Sequence, residues 1–137
     1  MKKNLFNVVL VLFFTIIFTS FSFGETCPNV TGDWDAVLEN VDYNSGTDTF
    51  AITTVHVTYH ITNQEGCHFY GKRVNKDDPS DIKGVTGVIG ERYGNALSIY
   101  WTVTSTHFLG SMIDKNTEIK FIRLGTSTAG NGTLTRQ

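Results

Sequence analysis

Between Val55 and Thr62 apolar and polar side chains alternate without a break, with Val55, Val57, Tyr59 and Ile61 on one side and His56, Thr58, His60 and Thr62 on the other. A period of two is the pleat of a β-strand, and a single apolar face means that the strand covers a core while its back meets water. A helix would scatter those four apolar residues around its axis. The fold must therefore bury one face of a long strand, and its neighbours have to supply the rest of that core.

The flanking sequence repeats the pattern. Residues 32–39 read as a first strand, with Trp34, Ala36 and Leu38 inward and Asp33, Asp35 and Glu39 outward. A turn-rich stretch at 42–48, centred on Asn44-Ser45-Gly46, leads into the long strand at 50–62. Gln64-Glu65-Gly66 reads as a hairpin turn in which Gly66 supplies the positive φ. That turn sets Ile61 opposite Phe69 and begins a third strand at Cys67. The charged loop 75–81, which opens on Asn75 and closes on Asp81, is followed by strands at 83–89, 96–104, 107–113, 117–124 and 132–136. Beyond residue 24 there are seventeen Thr, nine Val and eight Ile against four Ala and five Leu, a β-branched excess that disfavours helix.

About eight short-linked strands imply an all-β antiparallel meander. Glycines sit inside several of them, in Phe69-Tyr70-Gly71, Val85-Thr86-Gly87 and Phe108-Leu109-Gly110, where they relieve sharp curvature. Closure into a small barrel also removes exposed edges, so a barrel is expected, with a two-sheet β-sandwich as the alternative.

The first 24 residues are read separately. Lys2 and Lys3 precede an apolar run from Leu5 to Phe18, and Ser22-Phe23-Gly24 places small residues at the cleavage positions, so a signal peptide 1–24 with a cut after Gly24 is expected. An uncleaved anchor is the rival reading, and lipid modification at Cys27 is disfavoured by the acidic Glu25. The remaining 113 residues, 25–137, have room for a single domain, secreted or periplasmic. Removing the leader takes away two lysines and no acid, so the formal charge falls from −2 to −4, which argues against a nucleic-acid partner.

Gly32-Asp33-Trp34 at the head of the first strand, with Leu134-Thr135-Arg136 closing the last, resembles the calycin group of lipocalins, avidins and their bacterial relatives. The resemblance implies that Trp34 packs at one end of a barrel beneath the Arg136 guanidinium, a cation–π contact with a structural role. It implies no biotin binding, because Ala36 stands where the avidins carry Asn. The chain is also short for a lipocalin and lacks the C-terminal helix of that family.

Cys27 and Cys67 follow the leader, and an oxidising compartment favours joining them. The four histidines offer little to a metal: His56 and His60 are about 13 Å apart along one strand. In the expected register His60 and His68 meet diagonally, the one arrangement that could hold a surface zinc or copper ion. The simpler reading is exposed histidines among threonines, so no metal and no cofactor is expected. Asp77, Asp78 and Asp81 lack the spacing of a calcium loop. No nucleophile elbow, phosphate loop or zinc-protease motif is present, and no enzyme is expected. Two glycosylation patterns, at Asn29 and Asn131, are set aside because the Met-Lys-Lys start reads as bacterial.

Three functions are compatible with this chain. The first is a lipocalin-like carrier of an apolar or aromatic small molecule, its interior lined by Tyr59, Phe69, Leu97, Ile99, Trp101 and Val103, residues that could equally fill a solid core. The second is a protein-binding module, such as a periplasmic inhibitor or surface interaction protein, using the loop 75–81 with Tyr43 and Tyr93 in turns. A structural envelope component is the third.

Overall fold

The computed structural model describes residues 27–93, 96–113, 117–126 and 128–137. The expected leader and its cleavage site lie outside them. Eight strands follow one another: β1 (Gly32–Asn44), β2 (Thr49–Glu65), β3 (His68–Asn75), β4 (Ile82–Tyr93), β5 (Ala96–Val103), β6 (Thr106–Ile113), β7 (Glu118–Leu124) and β8 (Thr128–Arg136). Each pairs antiparallel with the next, and β8 returns to β1 through pairs from Trp34↔Arg136 to Asp42↔Thr128. The sheet is therefore a closed barrel and not a sandwich.

The alternation that predicts the strands also fills the interior. Trp34, Ala36, Leu38, Val57, Tyr59 and Ile61 are all buried, and β3 to β8 add Phe69, Val85, Ile99, Trp101, Phe108, Ile119, Phe121 and Leu134. Eight strands give an interior just wide enough for side chains to fill.

Several strand ends and one register differ from expectation. β1 runs on through Asn44, so only Ser45 to Asp48 turn, and β1 and β2 form a two-stranded ribbon. Tyr43 is therefore a strand residue paired with Phe50, and Tyr93 is likewise in a strand, paired with Ala96. At the β2–β3 hairpin Glu65 pairs with His68, leaving Gly66 (φ 57) and Cys67 as the turn, and a bulge after Ile61 sets it opposite Gly71 instead of Phe69. Gly71 is required there, because a β-carbon would meet the His60 carbonyl oxygen at 2.0 Å. The same shift places His60 opposite Lys72 and His68 opposite Glu65, which separates the two histidines and removes the proposed metal pair.

The ribbon leaves one stretch of strand edge open. β3 stops pairing with β2 at Val57↔Asn75, and the last bond across that seam is from the Lys76 amide to the His56 carbonyl. Because backbone groups alternate sides, Phe50, Ile52 and Thr54 direct their N–H and C=O away from β1. Phe50 and Ile52 are 71% and 76% exposed.

Candidate functional site

All six residues expected to line the interior are brought together and buried. Their rings pack on one another: Trp101 stacks on Phe108 with centroids 5.1 Å apart, and Phe121 meets both edge-on at 5.3 and 5.7 Å. Tyr59 stands edge-on to Trp101 and Phe108. The space left among Tyr59, Phe69, Ile99, Trp101 and their neighbours is about 20 Å³. That admits a water molecule, whereas drug-sized ligands occupy pockets of roughly 300–1,000 Å³. Two polar atoms are left in this interior: the Tyr59 hydroxyl and the Trp101 indole N–H lie near one another without hydrogen-bond geometry, and neither has another partner among the described residues. Burial pushes the Tyr59 phenol up to about 12, against the opposing pull of the nearby Trp101 indole and the Arg73 and Arg123 charges.

One end of the barrel is closed by residues 27–31. The disulfide Cys27–Cys67 anchors them. The Trp34 indole N–H donates to the Val30 carbonyl at 2.8 Å, and Arg136 lies over the indole at 5.4 Å while donating to the carbonyls of Asn29 and Thr31. Gln64 does as much as Arg136: it accepts from the Val30 amide and donates to the Pro28 and Gly66 carbonyls. From sequence Gln64 reads only as part of the Gln64-Glu65-Gly66 turn, with no sign of that role.

The loop after β3 is tied down. Asp81 pairs with Arg73 at 2.5 Å and Lys83 at 3.1 Å, Lys76 reaches Asp35 at 2.6 Å, and Asp78 accepts from the Ser80 amide and hydroxyl. The Lys83 and Arg73 contacts hold the Asp81 carboxyl below its ordinary range, with Lys83 the larger influence. Residues 76–80 of the loop are themselves exposed.

Unused apolar surface lies elsewhere, on the outside of the barrel. Leu109 stands opposite Ile122, and one step along the strands Leu124, Ala129, Val41 and Ile52 face one another in register across β7, β8, β1 and β2. Tyr43 and Phe50 continue the band at 4.9 Å between ring centroids. Beside it an open groove of about 810 Å³ is bordered by Val37, Glu39, Leu109, Lys120, Ile122 and Asn131. Gly110 and Gly132 lie along it with their missing side chains toward the core, where a β-carbon on Gly132 would meet the Phe121 ring at 2.6 Å.

Among the described residues no group of three or more His, Cys, Asp or Glu could hold a metal ion. His60 donates from Nδ1 to the Asp33 carboxylate, and the Nδ1 of His107 shares a hydrogen bond with the Tyr100 hydroxyl, both on the outer face.

The fold is similar to that of a redesigned β-barrel, b11L5F_LGL, with a TM-score of 0.52 and 17% identity over 79% of this chain and 91% of that one. It is also similar to EF1p2_mFAP2b bound to DFHBI, with a TM-score of 0.51 and 16% identity over 85% of this chain and 100% of the other. The chain matches no known family model and no curated protein, so at these identities the likeness is one of fold: a small eight-stranded β-barrel.

Proposed function

We propose that this chain is an exported, non-catalytic binding module whose barrel is a solid support and whose recognition surface is the outer face of β6, β7, β8, β1 and β2. One observation carries the reading: the space left among Tyr59, Phe69, Ile99 and Trp101 is only about 20 Å³, while Leu109, Ile122, Leu124, Val41, Ile52, Phe50 and Tyr43 stay exposed in a registered band. Contiguous exposed apolar surface with a polar rim marks an interaction site, and here Glu39, His56, Lys120 and Asn131 supply the rim. A band crossing five strands at about 4.8 Å spacing extends roughly 20 Å, which suits a protein partner better than a small molecule. The leader pattern and the Cys27–Cys67 disulfide support a secreted or periplasmic location.

The test is recovery of the wild-type protein and an Ile52→Lys, Leu124→Lys double variant from the exported fraction. A protein retained by the wild type, lost with the double variant and kept by a Lys72→Ser control supports the reading. Equal retention by all three would overturn it.

A second reading is favoured by the stranded Tyr59 hydroxyl and Trp101 indole N–H. An aromatic ligand bearing one acceptor could satisfy both if Phe108 or Trp101 moved aside, and the similar barrel EF1p2_mFAP2b has a structure bound to DFHBI. Native mass spectrometry of the purified protein separates the two readings: an apo mass fits the solid support, and a discrete small-molecule excess released on unfolding fits the carrier.

A further inference from the structure

The barrel end opposite the disulfide gathers cations that neither reading uses. Arg73, Lys83 and Arg123 border a recess of about 160 Å³, together with Thr104, Ser105, Thr106 and the ring of Phe108. Arg73 shares the inner face with Phe69 and Gly71, and Arg123 shares it with Phe121, so both reach the mouth from inside the sheet. Asp81 is paired with two of the three cations, Arg73 and Lys83. Arg123 donates at 2.6 Å to the neutral Oδ1 of Asn40, and among the described residues no carboxylate pairs with it. Three positive charges thus face one negative charge in a chain whose exported part is formally at −4.

Two further observations point to a ligand. The Nε of Arg73 is buried, on a side chain only 13% exposed, and has no hydrogen-bond partner among the described residues. A buried donor of a charged group calls for an acceptor. On the rim, Val103 pairs with Thr106, so Thr104 and Ser105 form a two-residue hairpin loop in which Thr104 adopts φ 56. Gly is preferred where such a loop needs a positive φ, and a β-branched residue is strained there. Thr104, Ser105 and Thr106 of this turn line the recess together with the three cations.

We propose that this recess is an anion-binding site that takes one small oxyanion group, a phosphate, sulfate or carboxylate, either free or as the head of a larger molecule. Guanidinium forks match such groups bidentately, and the rim hydroxyls complete the donor set. A water occupies about 30 Å³ of liquid, so 160 Å³ accommodates the group itself and leaves any attached chain outside.

The experiment is calorimetric titration of the exported chain in low-salt chloride buffer with inorganic phosphate, sulfate, acetate and a short alkyl phosphate. Saturable binding is expected at about millimolar affinity or tighter, weakening as chloride rises. Arg123→Met should weaken it by roughly tenfold or more, whereas Lys120→Met, an outward cation on the same strand, should leave it unchanged. Thr104→Gly keeps the loop and removes a hydroxyl, so it should raise the melting temperature while lowering affinity, a pairing that misfolding cannot produce. Alkyl phosphate binding about tenfold tighter than inorganic phosphate identifies the head of a larger molecule, and equal affinities identify a free anion. No saturable binding of any of the four, or binding undiminished in both Arg123→Met and Thr104→Gly, overturns the proposal.

Discussion

The ring of Phe69 rests on Gly87 of the neighbouring strand, so closely that a β-carbon at position 87 would lie 2.2 Å from its Cζ. The two residues are directly paired across β3 and β4, and the missing side chain is the space the ring occupies. Gly87→Ala should therefore cost about 1–3 kcal/mol through overpacking. Urea denaturation should show the loss, and Phe69→Leu in the same chain should recover part of it. Equal losses with and without Phe69→Leu would mean the ring is not what the new methyl meets.

Cys27 and Cys67 are 40 residues apart in sequence, so their bond removes considerable freedom from the unfolded chain. Replacing both by Ser should lower stability by roughly 4 kcal/mol on the chain-entropy model. The same change releases residues 27–31, so Trp34 fluorescence should shift in the native baseline before the main unfolding transition.

Acid sensitivity should trace to Asp35 together with Asp81, and Asp35 offers the cleaner test. Hydrogen bonds from Lys76 and then from Thr58 hold its carboxyl below the ordinary 3.8. A depressed carboxylate contributes stability that is complete above 3.8 and is lost as pH falls through the lower folded value. Stability profiles between pH 5 and pH 2 should decline less steeply in Lys76→Met than in the wild type. Parallel profiles would show that Lys76 does not set the carboxyl.

Alkaline sensitivity should trace to Tyr59. Its phenol is raised from 10.0 to about 12, so the unfolded chain ionises first and stability is lost as pH rises between those values. Tyr59→Phe should remove that part of the alkaline decline. At neutral pH the substitution should be near neutral or stabilising, because it deletes a buried hydroxyl without a partner. A clear loss of stability at neutral pH would instead reveal that something hydrogen-bonds the hydroxyl.

Amide exchange along the ribbon should alternate. Ala51 and Thr53 direct their backbone groups to β1, whereas Phe50, Ile52 and Thr54 face the open edge, so the first pair should be protected and the other three should exchange fast. Uniform protection at high protein concentration would show another strand covering that edge.

The inner face was legible wherever alternation was strong, as at residues 55–62, and the in-strand glycines correctly implied a small closed barrel. The β2–β3 register was not legible. Pairing Ile61 with Phe69 or with Gly71 keeps the same faces inward, because a slip of two residues preserves alternation. The choice falls to the close approach of the His60 carbonyl at Gly71, which only a folded backbone displays. The extent of β1 was missed for a related reason: Asp42, Tyr43 and Asn44 read as turn residues, yet the ribbon partner supplies pairs for all three. Arg73 and Arg123 were within reach, since each shares inner-face parity with an aromatic residue two or four positions before it. Whether the six interior residues enclose a chamber or fill it depends on how the rings of Trp101, Phe108 and Phe121 stack, and no sequence pattern encodes that.

The chain's first strand joins two unlike ends of the molecule. Beside Trp34 lie the disulfide and Gln137, whose amide donates to Asp33, while the turn from Ser45 to Asp48 lies at the strand's other end. Thirteen residues at about 3.3 Å each give a span of roughly 40 Å. Fastening at the disulfide end would leave the ribbon tip, with Phe50 and Ile52, toward the far end of that strand, the tilt of barrel strands making the height above the disulfide less than the full length.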